Sequence, residues 1–159
     1  MLKQSEHKSP EFLIFLDFDG VTHPLPSYVP SSINELKNTG LYRSGPYFCK
    51  DNILQINRLT HKLNANVVIT STWRLDFGWL PFNKLFVGRV IGQTPELGFQ
   101  SRYQEGLQFI SKNNYQNISW LALDDNSSLY PTEAPVYITD GNIGITAEEV
   151  NKLLVQYRR

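Results

Sequence analysis

At 159 residues the chain is long enough for one domain with a buried core, and its apolar content of 41% is that of an ordinary globular protein. Its 15 basic and 15 acidic residues balance at a pI near 6.8, which excludes a global electrostatic pull toward nucleic acid or anionic lipid. A single cysteine, Cys49, excludes an internal disulfide and a cysteine metal cluster.

Residues 1–10 are polar and lack the apolar stretch of a secretory signal, so they read as a flexible N-terminus ahead of a single domain over 11–159. No apolar run is long enough to span a bilayer, and the expectation is a soluble, cytoplasmic protein. Glu11 to Leu16 is a dense apolar run that suits a strand buried on both faces. Asp17 to Lys50 reads as loop, rich in Pro, Ser, Gly and Tyr. Asp51 then reads as the N-cap of a helix that buries Ile53, Ile56, Leu59 and Leu63. Val67 to Ile69 is a second buried strand. The stretch Trp73 to Gly98 has no clear periodicity, with a short strand expected over Phe86 to Ile91. Ser101 to Gln104 spells a capping box before a helix with Tyr103, Leu107 and Ile110 inward. Trp120 to Leu123 and Val136 to Ile138 are further strands. Thr146 to Glu149 is a second capping box, opening a helix with Val150, Leu153, Leu154 and Tyr157 inward.

Strands alternating with helices give a doubly wound, mainly parallel α/β sheet, with at most a small cap. Ligands in such folds sit beyond the carboxyl ends of the strands. Three of those ends carry polar clusters: Asp17-Phe18-Asp19-Gly20, Thr70-Ser71-Thr72-Trp73-Arg74, and Asp124-Asp125-Asn126. Each alone is ordinary turn or cap chemistry. Together they deliver four carboxylates and a set of hydroxyls to one edge, and an oxygen-only set of this kind calls for a hard cation, Mg2+.

These segments resemble a known family. FLIFLDFDGVTHP looks like the first motif of the haloacid-dehalogenase-like (HAD) superfamily, VVITSTWR like its second and LALDD like its fourth. Arg102 matches the position of its third, with Lys112 as the rival. The STWR, LALDD and ITDGNIGIT forms are similar to the phosphatase-like domains of RNA-repair proteins. The resemblance implies a Rossmann-like fold and a Mg2+-dependent phosphomonoesterase. Asp17 would be the nucleophile that forms an aspartyl-phosphate, and Asp19 the general acid and then base. Thr70 would bind a phosphoryl oxygen, with Ser71 as fallback, and Arg102 would neutralise charge. The metal would be held by the Asp17 carboxylate, the Asp19 carbonyl, Asp125 and Asp124, with Asp125 favoured over Asp124 as direct ligand.

Arg74 and Trp73 are placed to bind a substrate phosphate and stack a base, against the alternative of a core Trp and a surface Arg. Aromatic and basic residues in the two long insertions, Tyr28, Tyr42, Arg43, Tyr47, Trp79, Lys84 and Arg89 among them, suit the phosphate of a nucleic-acid terminus or nucleotide. His23 reads as a surface loop residue and Cys49 as a buried filler. A receiver-type domain is disfavoured because its acidic pair would follow the first strand. No obligate protein partner is evident, and a non-catalytic phospho-ligand-binding module is the alternative to an enzyme.

Overall fold

The computed structural model describes residues 10–38, 47–99 and 101–157; Tyr42 and Arg43 lie outside them. Five strands form one parallel sheet in the order β3-β2-β1-β4-β5: β1 Phe12–Leu16, β2 Ala65–Ile69, β3 Val90–Gln93, β4 Ser119–Asp124 and β5 Val136–Ile138. The helices are α1 Ile33–Asn38, α2 Lys50–Leu63, α3 Trp73–Phe77, α4 Arg102–Lys112 and α5 Ala147–Gln156. This is the Rossmann-like α/β architecture, with its order reversing at the β1–β4 junction. Between the strands and the major helices, the described residues form only short helices: α1, α3 and the 3-10 turns Leu80–Phe82 and Ser127–Leu129.

The apolar runs are strands because both their faces are covered. Phe12, Ile14 and Leu16 pack with Val67, Ile69, Leu121 and Leu123 beneath α2 and α5, whose Ile53, Ile56, Leu59, Val150 and Leu153 close that core. Leu13, Phe15, Val68 and Ala122 pack on the opposite face beneath Phe109 and Ile110 of α4. The period of two sends successive side chains to opposite faces, so β1 needs apolar residues at every position.

Several local expectations change. Cys49, half-buried, takes the N-cap of α2, and Asp51 sits in the first turn, where its charge complements the helix dipole. The long loop after β1 contains α1. The strand expected over Phe86 to Ile91 begins only at Val90, because Val87 (φ 55°) and Gly88 (φ 77°) are both left-handed and no strand passes through them. α4 is turned from its expected phase. Ile110 is buried as expected, but Glu105, Gly106 and Phe109 face inward with it and Leu107 is exposed. Its capping box is not made either: the Ser101 hydroxyl donates back to the carbonyls of Leu97 and Phe99. The box at Thr146 and Glu149 is formed in both directions.

Candidate active site

The register of the three central strands builds the site. Leu16 of β1 pairs with Ile69 of β2 and with Leu123 of β4, so the three strands end level. One further rung follows: Asp17 N–H donates to the Leu123 carbonyl at 3.0 Å, and Thr70 N–H to the Leu16 carbonyl at 2.9 Å. Asp17, Thr70 and Asp124 therefore stand side by side. By parity they continue the face of Phe15, Val68 and Ala122, which α4 covers. Arg102, the first residue of α4, meets all three: its Nη1 donates to Asp17 Oδ1 at 3.1 Å, Thr70 Oγ1 at 3.4 Å and Asp124 Oδ2 at 3.4 Å. Lys112 lies exposed in the last turn of the same helix, about 15 Å further along.

Asp124 is closely held. Tyr130 donates to its Oδ2 at 3.0 Å and the Asn126 N–H to its Oδ1 at 3.1 Å. Tyr130 carries no signal in the sequence; its phenol is pushed up by burial and by Asp124, and it stays a donor. The Asp125 carboxylate is seated against two glycines. A β-carbon on Gly20 (φ 78°) would meet Asp125 Oδ2 at 2.5 Å, and one on Gly141 would meet it at 3.0 Å. Gly20 thus serves both the left-handed turn and the close approach of a carboxylate. Oxygens of Asp17, Asp124 and Asp125 lie within 4.8 Å of one another.

This donor set suits a hard divalent cation. Burial, and then the Asp124 charge, push Asp17 up to about 8 against the pull of Arg102, and burial followed by Asp124 also raises Asp125. For Arg102, burial disfavours the charge, but Asp17 and Asp124 hold it above its usual range. Asp19 differs. Burial pushes it up, yet hydrogen bonds from His23 and Ser27 keep it below the usual carboxylate range. Metal-free, then, the first aspartate tends to keep a proton and the second to lose one, the reverse of what a nucleophile and an acid require. An all-carboxylate cluster in which Asp17 and Asp125 are both pushed toward their protonated forms fits Mg2+, whose charge would take the place of those protons.

The sign of that coupling gives a prediction. A raised Asp17 pKa contributes stability that is full below its unfolded value of about 3.9 and is lost as pH climbs toward 8. In EDTA the melting temperature should carry a downward component between pH 5 and 8 that Asp17→Asn removes. Mg2+ should raise the melting temperature more at pH 8 than at pH 5, and Asp125→Ala should weaken that gain more than Asp124→Ala. A Mg2+ shift independent of pH would count against a shared proton and cation site.

Three residues read as substrate contacts are placed otherwise. Trp73 is a core residue, 1% exposed, packed against Phe18, Phe48 and Phe82, and no base can stack on it. Arg74 is 3% exposed. Its guanidinium donates to the carbonyls of Thr70, Ser71, Thr94 and Pro95 and pairs with Glu105 at 3.0 Å, which leaves no donor for a substrate phosphate. Ser71 is fully buried, and its hydroxyl oxygen accepts from the Trp73 N–H at 3.3 Å. Arg89 donates to the Ala65 carbonyl, at the opposite edge of the sheet, and Tyr47 is buried. His23, read as a surface residue, is 5% exposed and bonded to Asp19.

Among known families, the model described as the HAD domain in Swiss Army Knife RNA repair proteins matches residues 13–150. No curated protein and no solved structure matches the chain. No helix among the described residues is long and apolar enough to cross a membrane.

Proposed function

Because this chain belongs to the family of HAD domains in Swiss Army Knife RNA repair proteins, we propose that it is a Mg2+-dependent phosphomonoesterase working through an aspartyl-phosphate on Asp17. The observation that supports this most is the single guanidinium, Arg102, shared by Asp17, Thr70 and Asp124 at the level ends of three strands. A tetrahedral phosphate offers several acceptors to such a site, and a fork of N–H donors beside a hydroxyl is matched to them.

In this reading an Asp17 oxygen attacks phosphorus and the bond to the leaving oxygen breaks, with Asp19 giving that oxygen its proton. Asp19 then takes a proton from water, the water oxygen attacks phosphorus, and the Asp17–phosphorus bond breaks to release inorganic phosphate. Arg102 and Thr70 hold the equatorial oxygens throughout. The Asp17 carboxylate, the Asp19 carbonyl, Asp125 and Asp124 would hold Mg2+, which when bound would supply the positive charge that lets Asp17 stay ionised. The charge of the bound phosphate beside Asp19 favours its protonated form and so fits it to act as an acid. The substrate is the phosphate of a nucleic-acid end or of a nucleotide. Family membership supports this, and the balanced charge of the chain argues for recognition of a terminus rather than of a long backbone.

Asp19→Asn tests the chemistry. Turnover of alkyl phosphates should fall by about 10²- to 10⁴-fold, the usual worth of a positioned acid, and turnover of an activated aryl phosphate should fall far less. Equal losses on both would take the acid role from Asp19. Oligonucleotide 3′- and 5′-phosphates compared with mononucleotides, sugar phosphates and phosphopeptides test the substrate, and a large advantage for either of the last two would refute the nucleotide reading.

A further inference from the structure

We infer that His23 is a positioning residue for Asp19, holding one oxygen of that carboxylate so that the other is presented to the leaving group. The inference rests on the reading of Asp19 as general acid. His23 Nε2 lies 2.9 Å from Asp19 Oδ1, and His23 Nδ1 lies 2.9 Å from Thr22 Oγ1, whose single hydroxyl hydrogen is shared between Nδ1 and the Phe18 carbonyl at 3.0 Å. An ionised carboxylate only accepts, so the hydrogen on the line between ring and Asp19 belongs to Nε2. Both ring nitrogens are anchored, which fixes the imidazole in its own plane.

Neighbouring aromatics fix it out of that plane. Phe48 meets the ring edge-on at 5.7 Å, and Trp73 lies across it at 5.5 Å and 38°. The backbone adds a clamp, because Gly20 N–H donates to the His23 carbonyl at 3.0 Å and closes the turn that carries Asp19. The anchored His23 side chain is 6% exposed and the Asp19 side chain it holds is 32% exposed. A short carboxylate that open to solvent has other rotamers to visit, and the bond from His23 singles one out. The buried Trp73, whose Nε1 has no hydrogen-bond partner among the described residues, packs against the His23 ring that holds this carboxylate. Thr22, His23 and Trp73 thus form a dry backing to Asp19 on the side away from solvent. A purely structural histidine would not need to end on the one aspartate of the loop that is open to a ligand.

The test compares His23→Ala, His23→Gln and Thr22→Val, each assayed with Mg2+ on an alkyl phosphate and on an activated aryl phosphate, beside Asp19→Asn. Partners that orient a reacting group are worth about 10- to 100-fold. His23→Ala is expected to lose about that much kcat on the alkyl phosphate, little on the aryl phosphate, and to leave KM near normal. His23→Gln, which restores an N–H donor near the Nε2 position, should recover most of the loss. Thr22→Val should show a smaller loss of the same selectivity. Should His23→Ala fail to fold, judged by a lost Mg2+ thermal shift, His23→Gln and Thr22→Val carry the comparison. Losses equal on both substrates, or no loss, would overturn the inference. If Asp19→Asn is selective for leaving group and the His23 and Thr22 variants are not, His23 positioning alone is refuted. If Asp19→Asn is itself unselective, the acid reading and this inference fall together.

Discussion

Replacing Asp17 with Asn is expected to make the protein more stable and to stop turnover. Asn has the same shape, so the rung from Asp17 N–H to Leu123 and the packing around it remain. It lacks the anionic oxygen that attacks phosphorus, and its uncharged amide gives the Arg102 guanidinium a poorer partner. A loss of about three orders of magnitude or more in kcat follows, ~4 kcal/mol of transition-state stabilisation. Without a cation, however, the Asp17 charge works against folding, since burial and Asp124 push its pKa up to about 8. Removing it should raise the melting temperature in EDTA, most clearly near pH 8. Asp17 would then be a site residue that trades stability for function. The checks are kcat on an aryl phosphate and a thermal scan of the same preparation. Near-normal turnover would remove Asp17 from the nucleophile role, and a lowered melting temperature would mean the variant is inactive for want of a fold.

The second large effect is on stability. Glu105→Ala should cost about 3–5 kcal/mol, because it leaves the Arg74 guanidinium buried without its paired carboxylate and with only the weaker pull of Glu96 as counter-charge. The Arg74 side chain is 2% exposed and that of Glu105 6%, and the Leu97 N–H loses its acceptor in the same stroke. Against a total stability of about 5–15 kcal/mol this is a large fraction, and the melting temperature should fall by roughly 10 °C. Glu105→Gln retains an acceptor and should lose less. KM for any phosphate ester should stay near normal in both variants below their melting transitions. A changed KM with an unchanged melting temperature would return Arg74 to the substrate.

The division between what was legible in the sequence and what was not follows the range of the interactions. β1, β2 and β4 could be read because a strand covered on both faces must be apolar at nearly every position, a local signal, and the half-buried edge strand β5 because Val136, Tyr137 and Ile138 all favour strands. Asp17, Thr70 and Asp124 could be located because they come one step past, or at the end of, those runs, and level strand ends bring them together. Arg74 looked available to substrate because its partner, Glu105, lies 31 positions later on another element. That same pair turns Glu105 inward, which is why α4 buries Glu105 and Phe109 rather than Leu107. His23 looked like a surface residue because Phe48 and Trp73, which enclose it, are remote in the chain. Val87 is β-branched and would favour a strand, but its positive φ belongs to a turn set by its surroundings.

Arg102 reaches Asp17 across 85 positions of chain, and Thr139 reaches the Gly20 carbonyl across 119. Nearly the whole polypeptide must be present and paired before these groups meet. Parallel pairing of β1 with β4 closes a long loop, the kind of step that makes folding slow. On a ribosome moving at ~5–20 residues per second, Asp17 emerges roughly 5–20 s before Asp124 and Asp125. The newborn chain therefore carries its reactive carboxylate while the rest of the site is still unmade. In refolding, recovery of turnover should coincide with docking of β4 and trail the return of helical signal from α2, a segment that can form early from local contacts alone.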